Sequence, residues 1–206
     1  MKTISKVRTQ KMVQLALLTA IIIILAFTPI GYINMVGLSI TLVGIPVVIG
    51  AITLGPVAGA ILGAIFGLTS FARAFGLEPF GTMLFGINPI GTFITTMVPR
   101  ILMGWLTGLL FQALKRFDKT KFVSYVITSI SGALLNTILF MSSLMIFFYN
   151  TKEIQDMASN YDVTNVVALI IAMVGINALA ESIASGLLGT SIAKPVDIYN
   201  KKNGLV

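Results

Sequence analysis

The chain reads as an all-α membrane protein, a bundle of six transmembrane helices, and three observations carry that reading. Hydrophobic residues fill 56% of the 206 positions and charged ones only 10%, against about 25% charged in soluble domains. The mean hydropathy is +0.97. Apolar runs recur along the whole length, separated by short stretches rich in Gly, Pro and charge. A bilayer crossing needs about 20 apolar residues, so the length holds roughly six crossings. No sizeable soluble domain is left over, and residues 1–206 form one unit.

The elements follow in order. The basic start, with Lys2, Lys6, Arg8 and Lys11, leads into a first helix over about 12–29. A secretory signal begins similarly, but no small-x-small cleavage site precedes Thr28-Pro29, so this helix is expected to stay uncleaved. Residues 28–39, TPIGYINMVGLS, combine turn formers with apolar side chains and predict a loop folded back onto the protein. The second helix covers about 40–54 and the third about 57–75, parted by Gly55-Pro56 in a tight turn. Gly55, Gly59, Gly63 and Gly67 recur every four residues. In water each interior Gly costs about 1 kcal/mol relative to Ala. In a bilayer the same strip lets two backbones approach closely.

Residues 76–91 carry Glu78-Pro79 and Asn88-Pro89 and predict a structured loop. The fourth helix spans about 92–114 with Pro99 in its first turns, and 115–121 is a charged loop. The fifth spans about 122–148, a mildly acidic loop follows to about 162, and the sixth spans about 163–193, ending at Lys194-Pro195. Lys115, Arg116, Lys119, Lys121, Lys194, Lys201 and Lys202 fall on the side of the basic N-terminus, which puts both termini in the cytoplasm.

Several function classes are disfavoured. Without Cys or His there are no disulfides, thiolate chemistry or imidazole metal sites. The pI near 9.8 comes from basic residues flanking apolar runs, with no aromatic-interleaved patch for nucleic acid. No repeated halves of a secondary transporter are evident, nor a Gly-rich nucleotide loop with Lys, nor a channel filter. No Lys lies inside a span to serve a Ser nucleophile. A membrane-embedded enzyme using Glu181, or a scaffold subunit, stands as an alternative from another class. A ligand-binding membrane subunit powered by partners fits best, with no metal or cofactor called for.

Ionisable groups inside spans are costly and usually face the bundle interior. They are Arg73, Arg100 and Glu181, joined by the amides Asn136 and Asn177. At 1.5 Å per residue from the cytoplasmic helix ends, all five come out at roughly 20–25 Å, one level in the outer half of a core about 30 Å thick. Asn177 and Glu181, four apart, share a helix face. Together they predict an outward-facing polar pocket under the loops 28–39, 76–91 and 150–162, with Asn88 of the second loop as a further candidate. Arg suits a carboxylate or phosphate through paired N–H donors, while the amides and Glu181 suit hydroxyls and amide N–H groups. The competing readings are a buried Arg100–Glu181 ion pair and an Arg73 that reaches to the membrane surface. On the first helix, Ala16 and Ala20 form a small-xxx-small pair that serves either internal packing or contact with another helix.

TPIGYI, IPVVIGAITLGPVAGAILGAIFGLTSF, NPIG and VPRILMG together resemble the S-components of energy-coupling factor (ECF) vitamin transporters, and the similarity covers essentially the whole chain. The resemblance implies a multi-pass subunit of the bacterial cell membrane that captures a vitamin outside and releases it inward on toppling. It implies as partners a transmembrane coupling subunit and two ATPases, with Ala16 and Ala20 as the docking pair. IPVVIGAITLGPVAGAILG and PRIL look most like pantothenate-type members. That implies pantothenate as substrate with Arg100 on its carboxylate; pyridoxine or hydroxymethylpyrimidine, riboflavin and folate are the alternatives.

Overall fold

The computed structural model describes residues 2–35, 38–118, 122–160, 175 and 177–204. The chain opens with α1 (Lys2–Phe27) and a 3-10 turn (Pro29–Gly31). Two strands follow, β1 (Tyr32–Met35) and β2 (Leu38–Thr41). Then come α2 (Gly44–Leu54), α3 (Pro56–Arg73), α4 (Pro79–Ile87), α5 (Pro89–Phe117), α6 (Val123–Phe148) and α7 (Lys152–Asn160). The last helical run comprises α8 (177–184), a π-helical stretch (Ser185–Gly189) and α9 (Thr190–Lys202). The architecture is thus a helical bundle carrying one small antiparallel hairpin.

Among the described residues, four helical segments are long and apolar enough to cross a membrane: Val7–Phe27, Pro56–Arg73, Pro89–Phe117 and Val123–Phe148. The expected second crossing is shorter than the sequence reading has it. Residues 38–41 pair with 32–35, in register Tyr32↔Thr41 to Met35↔Leu38, so α2 begins only at Gly44. Its 11 residues reach about 16 Å, half a bilayer core. Every residue from Ile45 to Thr53 is buried, because α2 is apolar on all sides and enclosed by its neighbours. The first part of the expected sixth helix, 163–176, lies outside the described residues except position 175; the described remainder does not stop at Lys194-Pro195 but runs on to Lys202.

The Gly55-Pro56 turn is as tight as expected. Gly55 sits at φ 96°, where a side chain would be strained, and Pro56 starts α3 with no N–H to satisfy. The glycine strip of α3 packs on α5 backbone to backbone. A Cβ on Gly59 would stand 2.3 Å from the Gly104 carbonyl oxygen, and one on Gly63 2.1 Å from that of Arg100. Glu78-Pro79 and Asn88-Pro89 prove to be helix starts rather than plain loop: each acid or amide caps a helix whose first residue is the proline. The expected loop 76–91 therefore contains α4, and α5 extends at both ends beyond 92–114.

The core has two parts. One gathers around α2, with Val47, Val48, Leu62, Phe66 and Met103 among its buried members. The other joins Leu84, Met141, Leu144, Phe148 and Ile154 of α4, α6 and α7. Residues of both parts, Phe66 of the first and Leu84 and Met141 of the second, border a cavity with polar walls.

Candidate functional site

The hairpin and five helices converge on a cavity of about 650 Å³. The hairpin contributes Tyr32 and Thr41; α3 contributes Phe66, Ser70 and Arg73; α5 contributes Thr92, Thr96 and Arg100. Asn136, Thr137 and Phe140 come from α6, and Asn177 and Glu181 from α8, with Glu78 and Phe80 at the start of α4 closing one side. The five polar residues picked from the spans, Arg73, Arg100, Asn136, Asn177 and Glu181, all line this one cavity. Asn88 does not reach it: its side-chain oxygen accepts from the Gly91 backbone N–H at 2.9 Å and caps α5.

Arg100 is fixed by the residue before it. Pro99 has no N–H, so the carbonyl of Thr95, four residues back, lacks the donor a helix normally supplies. Arg100 Nη1 donates to that carbonyl at 2.7 Å. The guanidinium centre lies 4.3 Å from the Phe140 ring and 5.5 Å from Phe66, a desolvated cation held between aromatic faces. Only 8% of the residue is exposed, and its Nε has no hydrogen-bond partner. Asn136 Oδ1 on α6 is likewise buried and unpartnered. A buried polar atom without a partner costs roughly 1–3 kcal/mol, and two residues of the cavity wall each carry one, a donor on Arg100 and an acceptor on Asn136.

The other ionisable groups are occupied. Arg73 is half-buried on the cavity wall: Nη1 donates to the Ala26 carbonyl, one of the last in α1 that has no partner within the helix. Its guanidinium also stacks 3.9 Å from the Tyr32 ring. Burial raises the Tyr32 phenol pKa, which Arg73 works against, and the hydroxyl stays protonated at neutral pH. Glu181 accepts from the Thr41 backbone N–H at 2.8 Å, tying the hairpin to α8. Glu78 accepts from the N–H groups of Phe80 and Gly81. The Arg100–Glu181 ion pair is not formed; Asp197, elsewhere in the bundle, pairs with Lys115 and Lys201.

Sequence reasoning missed the aromatic walls Phe66 and Phe140, which look like any apolar span residue. It also missed a second buried polar cluster at the other end of the bundle. There Asp197 is fully buried and accepts from the Tyr125 hydroxyl and Lys201. Fully buried Asn200 exchanges hydrogen bonds with Gln14 and donates to the Thr53 carbonyl. The helical i, i+3, i+4 spacing of Asp197, Asn200 and Lys201 was the signal, hidden in what reads as a polar tail.

A family model described as the substrate-specific component of ECF transporters matches residues 10–192. The chain belongs to that family, and it is a membrane protein and a transporter subunit. It is also similar to the pantothenic acid transporter PanT of Lactococcus lactis subsp. cremoris (strain MG1363), with 31% identity over 163 residues, 74% of each chain.

Proposed function

We propose that this subunit captures pantothenate in the cavity around Arg100, for import by an ATP-driven complex whose coupling and ATPase subunits are separate chains. The observation that carries the reading is that Arg100 and Asn136, each with a buried, unpartnered polar atom, line one cavity of small-molecule size. Pantothenate offers a carboxylate for the first and hydroxyl or amide donors for the second. Tyr32, Thr96, Thr137 and Asn177 supply further polar groups along the wall. The likeness to PanT supports the same substrate.

The rest of the account follows from the family and the charge pattern. The subunit sits in a bacterial plasma membrane with both termini in the cytoplasm, and the cavity opens outward under the hairpin and α4. Ala16 and Ala20, both exposed on α1, form the face that meets the coupling subunit. An enzymatic role for Glu181 is weakened by its engagement with the hairpin backbone. The test is uptake of labelled pantothenate by cells lacking their own importer that express this chain with a coupling module. Accumulation competed by unlabelled pantothenate is expected. Accumulation of pyridoxine, riboflavin or folate in its place would overturn the substrate.

A further inference from the structure

On the flank of the bundle, away from the polar cavity, α1 and α9 stand apart over α2 and leave an apolar groove of about 610 Å³. Gln14, Leu18, Ile21 and Leu25 form one wall, Ile192 and Tyr199 mark the other, and α2 is the floor. From Gln14 to Leu25 the groove runs about 16 Å along α1, the hydrocarbon depth of a single leaflet. Its walls are apolar except at one end, where Gln14 pairs with Asn200.

That polar end is also the basic end. Lys11 precedes Gln14 by three residues and Leu18 by seven, so it continues the α1 wall. Lys202 follows Tyr199 by three and Pro195 by seven, so it continues the α9 wall. Both lysines are exposed. Two cations thus flank the mouth of a slot one acyl chain long, with half-exposed Tyr199 at the depth where aromatic residues meet lipid headgroups. We propose that the groove binds an anionic phospholipid from the leaflet at the lysine-rich end, one acyl chain in the slot and the phosphate between Lys11 and Lys202.

The groove adjoins the Ala16 and Ala20 face through Leu17, which lines it and lies about 60° around the helix from Ala20. Lipid in the groove would brace α1 against α9.

The experiment is native mass spectrometry of the full chain, titrated with phosphatidylglycerol and with phosphatidylcholine of the same acyl composition. One phosphatidylglycerol per chain is expected, at least about tenfold tighter than phosphatidylcholine, since each lysine near an anionic headgroup contributes about 1 kcal/mol. Lys11→Glu with Lys202→Glu should erase the preference, while Lys152→Glu, at the start of α7, should keep it. Leu18→Phe with Ile192→Phe, filling the slot, should weaken both lipids, with unchanged melting of each variant serving as the fold check. Equal binding of the two lipids by the native chain would overturn the proposal, as would a preference that survives the double reversal. So would a filled groove that keeps its lipid but loses assembly with a coupling subunit, which would make the occupant a protein helix.

Discussion

Proline 99 and Arg100 act as one unit. The proline orphans the Thr95 carbonyl, and the arginine that satisfies it is thereby held in place on the cavity wall. Replacing Pro99 with Ala returns a backbone donor to Thr95 and releases Nη1 to other rotamers. The expected outcome is a protein at least as stable, since an interior proline costs a helix about 3 kcal/mol. Ligand affinity should fall by roughly fivefold, the worth of about one hydrogen bond of orientation. Thermal melting and titration calorimetry read the two effects apart. At this scale the sequence was generous with charged residues, because a charge in an apolar run stands out. It was silent on Phe66 and Phe140, whose role depends on which way a helix turns, and it misplaced Asn88, whose Asn-Pro spacing is that of a cap.

The contact between α3 and α5 positions the site at the level of elements. Gly63 leaves room for the carbonyl of Arg100 itself, so α5 can carry its guanidinium to the cavity only if α3 is bare there. Gly63→Ala should cost about 1–3 kcal/mol of stability, the usual cost of overpacking, and weaken ligand binding along with it. Gly86→Ala, on α4 where a Cβ would meet nothing within 4 Å, should leave melting and binding unchanged. The four-residue glycine period made the α3 strip legible, but nothing in it names α5 as the partner. The hairpin was not legible either. Residues 38–41 are as apolar as the helix they lead into, and only pairing with 32–35 and the bond from Thr41 to Glu181 keep them extended.

For the whole molecule, the account separates capture from coupling. The cavity lies among α3, α5, α6 and α8, whereas Ala16 and Ala20 lie on the exposed face of α1. Ala16→Leu with Ala20→Leu should therefore leave pantothenate affinity within about twofold and abolish uptake in cells that carry the coupling module. Bulk on that face blocks close helix approach without touching the cavity. Composition and hydropathy were sufficient for the membrane class, and the converging depths of five polar residues anticipated the single cavity. The short α2 escaped, because a helix buried on all sides and a lipid-facing span have the same apolar composition. The measurement that tests the central claim most directly is isothermal titration of the detergent-purified chain with pantothenate, beside Arg100→Ala. The account predicts one-to-one binding by the native chain and a loss of roughly 100-fold or more in the variant, as expected when a carboxylate loses a buried charged donor. Unchanged affinity in a folded Arg100→Ala protein, or no pantothenate binding by the native chain, would contradict it.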